Sequence, residues 1–286
     1  MENTESIKVK ESSSSNKNKS KYVLEFITEK IFMISAFVAV ISLLLIIGFV
    51  FYKGLMPFVT EGYSFIDFIF GTEWLPSSKE FGIGAMIVTS MVATVGALII
   101  GVPIGILAAI FIAEICPKKY ARVISTAVEL LAGIPSVLYG IFGLAVIIVL
   151  SIMMLPTIIS LSETSIRAVP KAYKEGSLAL GASKIETIFK VTVPAAKSGI
   201  LAGVILGIGR ALGETMAVIL VAGNSTAMPT SLLDSARPLT TNIALEMGYA
   251  AGTHQEMLFA TGVVLFLFII IINLVLTKLT SKGVDR

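Results

Sequence analysis

From residue 31 onward the chain alternates long apolar runs with short polar stretches. Ile31–Tyr52 is about 22 residues long, roughly 33 Å of helix against a hydrocarbon core of about 30 Å, and predicts a first span. Gly84–Ala113 predicts a second, interrupted by Gly96, Gly101, Pro103 and Gly105, which favour close helix contact and a kink. Lys197–Gly223 and Met257–Leu279 predict two more. In the first of these, Gly199, Gly203 and Gly207 recur every fourth residue, a stripe that lets a neighbouring helix approach. Residues 1–21, with the run SSSSNKNKS, are polar and expected to lack fixed structure. No cleavable leader is expected, because the first apolar segment starts late and is too long.

Ser125–Ser162 is harder to parse. Lysine and arginine mark both of its flanks, Lys118, Lys119 and Arg122 before it and Arg167, Lys171 and Lys174 after it. The positive-inside rule puts both flanks in the cytoplasm, so two crossings are needed. The apolar run between them has about 38 residues and no polar turn, where two spans want about 40. Hydropathy alone counts five spans, which would place the end at Lys278–Arg286 on the wrong side. Either Gly140 and Gly143 permit a tight hairpin or re-entrant segment, or only one crossing survives.

The longest polar interruption of the apolar part, Lys171–Ala196, carries its own punctuation. Pro170 suits a first helical position, Gly181 a left-handed stop, and Ser183 with Glu186 a capping box. Ile185, Ile188 and Phe189 fall on one face of the second short helix, and Pro194 opens the next span. The expected product is helix, glycine elbow, helix, span. A plain amphipathic surface hairpin would have the same pattern.

Composition confirms a membrane chain: 55% hydrophobic, 14% charged, mean hydropathy +0.91. The net charge of +3 comes from residues flanking the apolar runs, which speaks for topology and against nucleic-acid binding. The single cysteine, Cys116, excludes an internal disulfide, and the single histidine, His254, argues against a histidine-based metal site. No serine–histidine, paired-aspartate or metal-ligand arrangement falls inside an apolar run, so no catalytic residue, metal or cofactor is expected. The phosphate-cradling G-x-x-x-x-G-K-[ST] loop is absent, which assigns any ATP hydrolysis to another chain.

Two charges stand inside a span. Arg210 and Glu214, spaced i and i+4, are expected on one helix face. Each costs about 2.5–3.5 kcal/mol at a span centre, so they are either a mutually neutralised pair or part of a pathway lining. A guanidinium offers a fork of donors that suits phosphate oxygens. Tyr63, Phe65, Phe68, Phe70 and Trp74 are expected in an interfacial belt outside the membrane. The outside segment Asn224–Glu256, with Asp234, Arg237, Glu246 and His254, is either a gate or docking surface or a solvated loop.

The spacing Glu175, Gly181, Pro194 resembles the coupling loop, the "EAA" motif, of ABC-importer membrane subunits, with Gly176 and Ser177 in place of its two alanines. IPSVLYGIFGL, LPTIISLSE, GSLALGASKIETI and GRALGETMAVILVAGN together resemble the PstC-like permeases of phosphate importers, over nearly everything from Phe81 to Leu279. In that family an outside loop and the start of the fourth span separate the first two words. Here they join near Val146–Val149, as though a few tens of residues were removed. The resemblance implies an all-α, MetI-like type I importer domain of nominally six spans, the third and fourth compressed. It divides the chain into a tail 1–30, a first span and outside segment 31–81, a transmembrane domain 82–280 with its coupling loop at 163–196, and a tail 281–286. It implies an ATPase-coupling set of Glu175, Gly176, Ser177, Gly181, Ser183, Glu186 and Pro194, and a substrate pathway through Arg210 and Glu214. Implied partners are a second homologous permease subunit, cytoplasmic ATPase subunits, an extracytoplasmic phosphate-binding protein, the lipid bilayer and inorganic phosphate. The implied location is the bacterial cytoplasmic (inner) membrane with both termini cytoplasmic. The rival readings are a permease for sulfate or molybdate, a sensory or scaffolding membrane protein, and a shortened inactive form.

Overall fold

The computed structural model describes residues 2–142, 145–232 and 234–281, as two compact units, Met1–Tyr52 and Lys53–Arg286, each treated by itself. Helix α1 (Glu2–Thr60) supplies the first unit and the start of the second. It begins well before the expected span. The tail expected to lack structure is helical, continuous with the span that nucleates it, although its serine and asparagine run favours helix only weakly. Apolar side chains such as Phe37, Leu44 and Phe49 are exposed along it.

In the second unit, α1 ends at Thr60 and a short helix α2 (Phe65–Phe70) follows. A two-stranded hairpin comes next, β1 (Trp74–Leu75) against β2 (Glu80–Phe81), with Trp74 opposite Phe81. The expected aromatic belt is corrected here. Phe65 and Phe70 are exposed, but Phe68 and Trp74 are buried with Phe81, Ile83, Met86, Leu239, Met257 and Leu258. Edge-to-face ring pairs, Phe58 with Phe68 and Trp74 with Phe81, hold that cluster. Period alone does not distinguish a ring at a headgroup from one under a hairpin.

Span α3 (Gly84–Ile110) ends in a π-helical turn at Phe111–Ile115. Then come α4 (Lys118–Ala132), α5 (Ser136–Phe142) and α6 (Val146–Ala168). Close approaches give their directions. Gly96 faces Ile147, Gly101 faces Ser151 and Gly105 faces Ile158, so α3 and α6 run parallel. A return must therefore lie between them, and α4–α5 makes it. Ser125 hydrogen-bonds Glu163, Val128 and Glu129 share a groove with Pro156 and Ser160, and Tyr139 packs on Val149 and Met153. The pair runs back along the whole of α6. Together α4 and α5 amount to about 33 Å of helix, which matches one crossing.

Neither piece is long and apolar enough by itself. Among the described residues only four helices are, or five counting Lys184–Ala195 with Lys197–Gly213, bent by 69°. Arg122 and Glu129 lower the hydropathy of α4, and Pro135 breaks the helix by removing the N–H that the Leu131 carbonyl would receive. That carbonyl accepts from the Ile134 N–H at 3.3 Å and from Tyr139 Oη at 2.9 Å. The compressed region thus folds as a helix pair, broken at Gly133–Pro135, that returns alongside α6. Gly140, expected at a hairpin tip, packs within α5 against Ala217 and Leu220, and Gly143 lies outside the described residues.

The short helices α7 (Lys171–Ala179), α8 (Lys184–Thr187) and α9 (Val193–Ala195), with a π-helical turn at Ile188–Thr192, lead into α10 (Lys197–Gly213). Gly199, Gly203 and Gly207 lie against Ser165, Leu161 and Ile158, so α10 runs antiparallel to α6 and the glycine stripe is its contact. Helices α11 (Met216–Val221), α12 (Leu239–Glu246) and α13 (Thr253–Ser281) complete the chain. Two apolar clusters stack along α3, α6 and α10, one around Met154, Ile158 and Ile208, the other around Ile112, Ile166 and Ile200.

Candidate functional site

The polar hairpin between α6 and α10 closes as its sequence dictates. Leu180 ends α7 and Gly181 adopts φ +89°, a conformation that costs a residue with a Cβ about 1–2 kcal/mol. Gly181 N–H donates to the Leu178 carbonyl at 3.0 Å and Ala182 N–H to that of Ser177 at 3.2 Å. These are the two bonds of a Schellman stop. Ser183 then opens α8 with a reciprocal capping box. The Glu186 N–H donates to Ser183 Oγ, and the Ser183 N–H to Glu186 Oε2. These bonds from Ser183, with Lys190 beside it, hold the Glu186 carboxyl below its ordinary value. Pro170 sits at the N-cap of α7, one position before the first helical residue, and Pro194 lies in α9, ahead of the bend into α10.

One side of this hairpin is anchored and the other is bare. Thr187, Ile188 and Thr192 are buried, Ile188 within the cluster of Ile112 and Ile166. Leu180 at the tip is 91% exposed, and Tyr173, Leu178, Ile185 and Phe189 are exposed too. Of the expected apolar face of α8, only Ile188 turns inward. Glu175, Gly176, Gly181, Ser183, Glu186 and Pro194 are also exposed, and Ser177 is half-buried. The structure therefore brings the seven residues of the expected coupling set onto one protruding hairpin. It adds two that sequence reasoning passed over: Lys174 pairs with Glu114, at the end of α3. Nothing in the sequence spacing links residues so far apart.

Arg210 and Glu214 are not in direct contact, and Glu214 has other partners. Helix α10 ends at Gly213, and Glu214 is extended (φ −71°, ψ 128°). Its carboxylate accepts from the Ala217 N–H at 3.1 Å, capping α11, and its carbonyl accepts from Thr240 Oγ1 at 3.0 Å. Gly213 before a capping side chain favours that break over a continued helix. Arg210 is half-buried in the last turn of α10, and no hydrogen bond or ion pair joins it to Glu214 among the described residues.

At the opposite end of α3 from the hairpin, Glu246 is buried at 6% exposure with three partners. Arg237 Nη1 lies 2.6 Å from Oε1, while Trp74 Nε1 at 2.8 Å and His254 Nε2 at 2.7 Å share Oε2. Arg237 also donates to the Asn224 carbonyl at 2.9 Å. The segment 224–256 is therefore pinned at Glu246, and a merely solvated loop does not describe it. Removing one partner from such a buried ion pair costs about 3–5 kcal/mol.

Residues 101–283, well over half the chain, match the family described as the binding-protein-dependent transport system inner membrane component. The chain belongs to this family. The permease is 40% identical over 249 residues to the probable ABC transporter permease protein YqgH of Bacillus subtilis (strain 168), covering 77% of this chain and 81% of that protein. It is 33% identical over 290 residues to the phosphate transport system permease protein PstC of Mesorhizobium japonicum, covering 86% and 88%. An alignment of 290 positions exceeds the 286 residues of the permease, so the relative carries positions the permease lacks. In fold it is similar to a chain of a bacterial ABC transporter involved in import of the acidic polysaccharide alginate, with TM-score 0.64 and 17% identity over 85% of this chain and 92% of that one. A chain of the MetNI methionine ABC transporter gives TM-score 0.53 and 17% identity over 71% and 94%. The permease is thus an ABC-importer membrane subunit of MetI-like fold, an inner-membrane component and not itself an enzyme.

Proposed function

We propose that the permease is the membrane subunit of an ATP-driven phosphate importer, coupled to a separate ATPase through the hairpin around Gly181. The observation that carries the coupling is that hairpin: fixed by Ile188 and Lys174 on one side, and on the other presenting Tyr173, Leu178, Leu180, Ile185 and Phe189 to solvent among Glu175, Lys184 and Glu186. An amphipathic helical element of this kind fits a groove on a partner. The relatives named for phosphate transport support the substrate. So does Arg210, a guanidinium held inside a span and left available to an anion.

In this reading α1, α3, α4–α5, α6, α10–α11 and α13 make six crossings. Both termini and the Gly181 hairpin face the cytoplasm, as the flanking lysines direct. ATP binding closes the ATPase dimer and moves the elbow; that motion passes through α9 into α10 and alters access to Arg210. Glu214 acts by ending α10 at that level. A second permease subunit completes the pathway, and an extracytoplasmic phosphate-binding protein delivers at the Glu246 end.

The test is uptake of labelled phosphate by the assembled complex in vesicles, with sulfate and molybdate as competitors. Phosphate alone is expected to compete strongly, and Arg210→Ala is expected to lower uptake by about tenfold or more while assembly persists. Equal competition by sulfate or molybdate would redirect the substrate, and loss of assembly in Arg210→Ala would make that residue structural.

A further inference from the structure

The turn that ends α3 is wider than an α-helical one, and that width has a chemical consequence. In Phe111–Ile115 the Cys116 N–H donates five residues back, to the Phe111 carbonyl at 2.8 Å. An α-helical turn would direct that N–H to Ile112. The Ile112 carbonyl therefore loses its main-chain donor, and Ile112 is only 2% exposed. Arg167 fills the vacancy, its Nη2 donating to that carbonyl at 3.0 Å. Arg167 stands in the last turn of α6, just before the hairpin begins.

The same π-turn carries Glu114, whose Oε1 is paired with Lys174 in α7. Both side chains are largely shielded, at 12% and 23% exposure, so the pair is less weakened by water than a surface one. Arg167 Nε also donates to Glu163 Oε1 at 2.9 Å, and the Glu163 carboxylate accepts from Ser125 Oγ of α4. Two bonds from opposite ends of the α6–α7 junction thus converge on the π-turn that follows α3, and a third ties in α4. Wide turns of this kind recur at functional sites because they free a backbone group for another partner.

From this geometry we propose that the π-turn Phe111–Ile115 receives the hairpin's motion, with Glu114, Lys174 and Arg167 as positioning residues that clamp the hairpin to α3. The proposal rests on the coupling reading and adds the route by which force reaches the spans. Along α10 alone, movement of the elbow would turn one helix. Through the clamp it also moves α3, which packs along the full length of α6. Breaking the clamp leaves the exposed face of the hairpin intact, so the ATPase still binds and hydrolyses ATP while the stroke is lost.

The experiment measures phosphate transported per ATP hydrolysed by the full complex in proteoliposomes, for the wild type, Glu114→Gln, Lys174→Gln, Lys174→Arg and the exchange Glu114→Lys/Lys174→Glu. Each charge-removing variant is expected to keep ATPase binding and to lose about tenfold in the ratio, within the range of couplings between sites. Lys174→Arg and the exchange are expected to recover most of it. A wild-type ratio in the charge-removing variants overturns the proposal. So does an exchange as defective as the single changes, or a failure of every charge-removing variant to assemble, which assigns the pair to folding. The wild type separates this proposal from its foundation: if it moves no phosphate on ATP, the coupling reading fails whatever the variants do.

Discussion

Ser177 Oγ lies 2.9 Å from Thr187 Oγ1, a hydroxyl pair that bridges the two short helices across the Gly181 elbow. With the Schellman bonds on one side and the capping box on the other, it fixes the angle at which Leu180 is presented. A Cβ at Gly181 would meet nothing within 4 Å, so the penalty of Gly181→Ala is conformational and not steric. We expect a local cost of about 1–2 kcal/mol, hence a roughly fivefold to thirtyfold weaker grip on the ATPase partner, with normal membrane insertion. Co-purification of the ATPase at graded concentration measures it.

The capping box predicts a pH dependence confined to the hairpin. The Glu186 carboxyl lies below its ordinary value of 4.5, chiefly because it accepts from the Ser183 N–H and hydroxyl, with Lys190 adding to the effect. A carboxyl depressed in the folded state contributes its stabilisation fully above its unfolded value and loses it as pH falls through the folded one. Amide protection at Ser183 and Glu186 should therefore be flat from pH 7 to about 5 and fall below 4.5, after correction for intrinsic exchange. Glu186→Gln should remove that fall.

The contact of α10 with α6 predicts a strongly position-dependent glycine effect. A Cβ at Gly199 would sit 1.9 Å from Ser165 Oγ and 2.5 Å from its Cβ, whereas one at Gly248 meets nothing within 4 Å. Gly199→Ala forces the helices apart and should lower the thermal midpoint of the purified protein and its membrane level, by the 1–3 kcal/mol typical of overpacking. Gly248→Ala should leave both unchanged.

Local chemistry was legible in the sequence, and long-range pairing was not. Gly181, Ser183 and Glu186 announce their conformations through residue type alone, and the four-residue glycine spacing announces a helix contact. The return path α4–α5 was obscured because Arg122 and Glu129 dilute its hydropathy and Pro135 divides it, while its evidence is spatial: Ser125 on Glu163 and Tyr139 on the Leu131 carbonyl. Trp74 reads as an interfacial ring until Glu246 is seen to take its N–H. The i, i+4 spacing of Arg210 and Glu214 suggests a pair, but Glu214 turns its carboxylate to the Ala217 N–H, a partner that the spacing does not reveal. The π-turn that frees the Ile112 carbonyl depends on its partner Arg167, 55 residues away, and has no local signature.

The account depends on the Gly181 elbow facing a nucleotide-driven partner, and the exposed tip residue Leu180 permits a direct measurement. With Cys116 replaced by serine and Leu180→Cys introduced, a membrane-impermeant thiol reagent is applied to intact cells and to inverted vesicles. Labelling only in inverted vesicles, suppressed when the ATPase subunit is added back, is the predicted result. Labelling of intact cells would place the elbow outside and contradict the coupling mechanism.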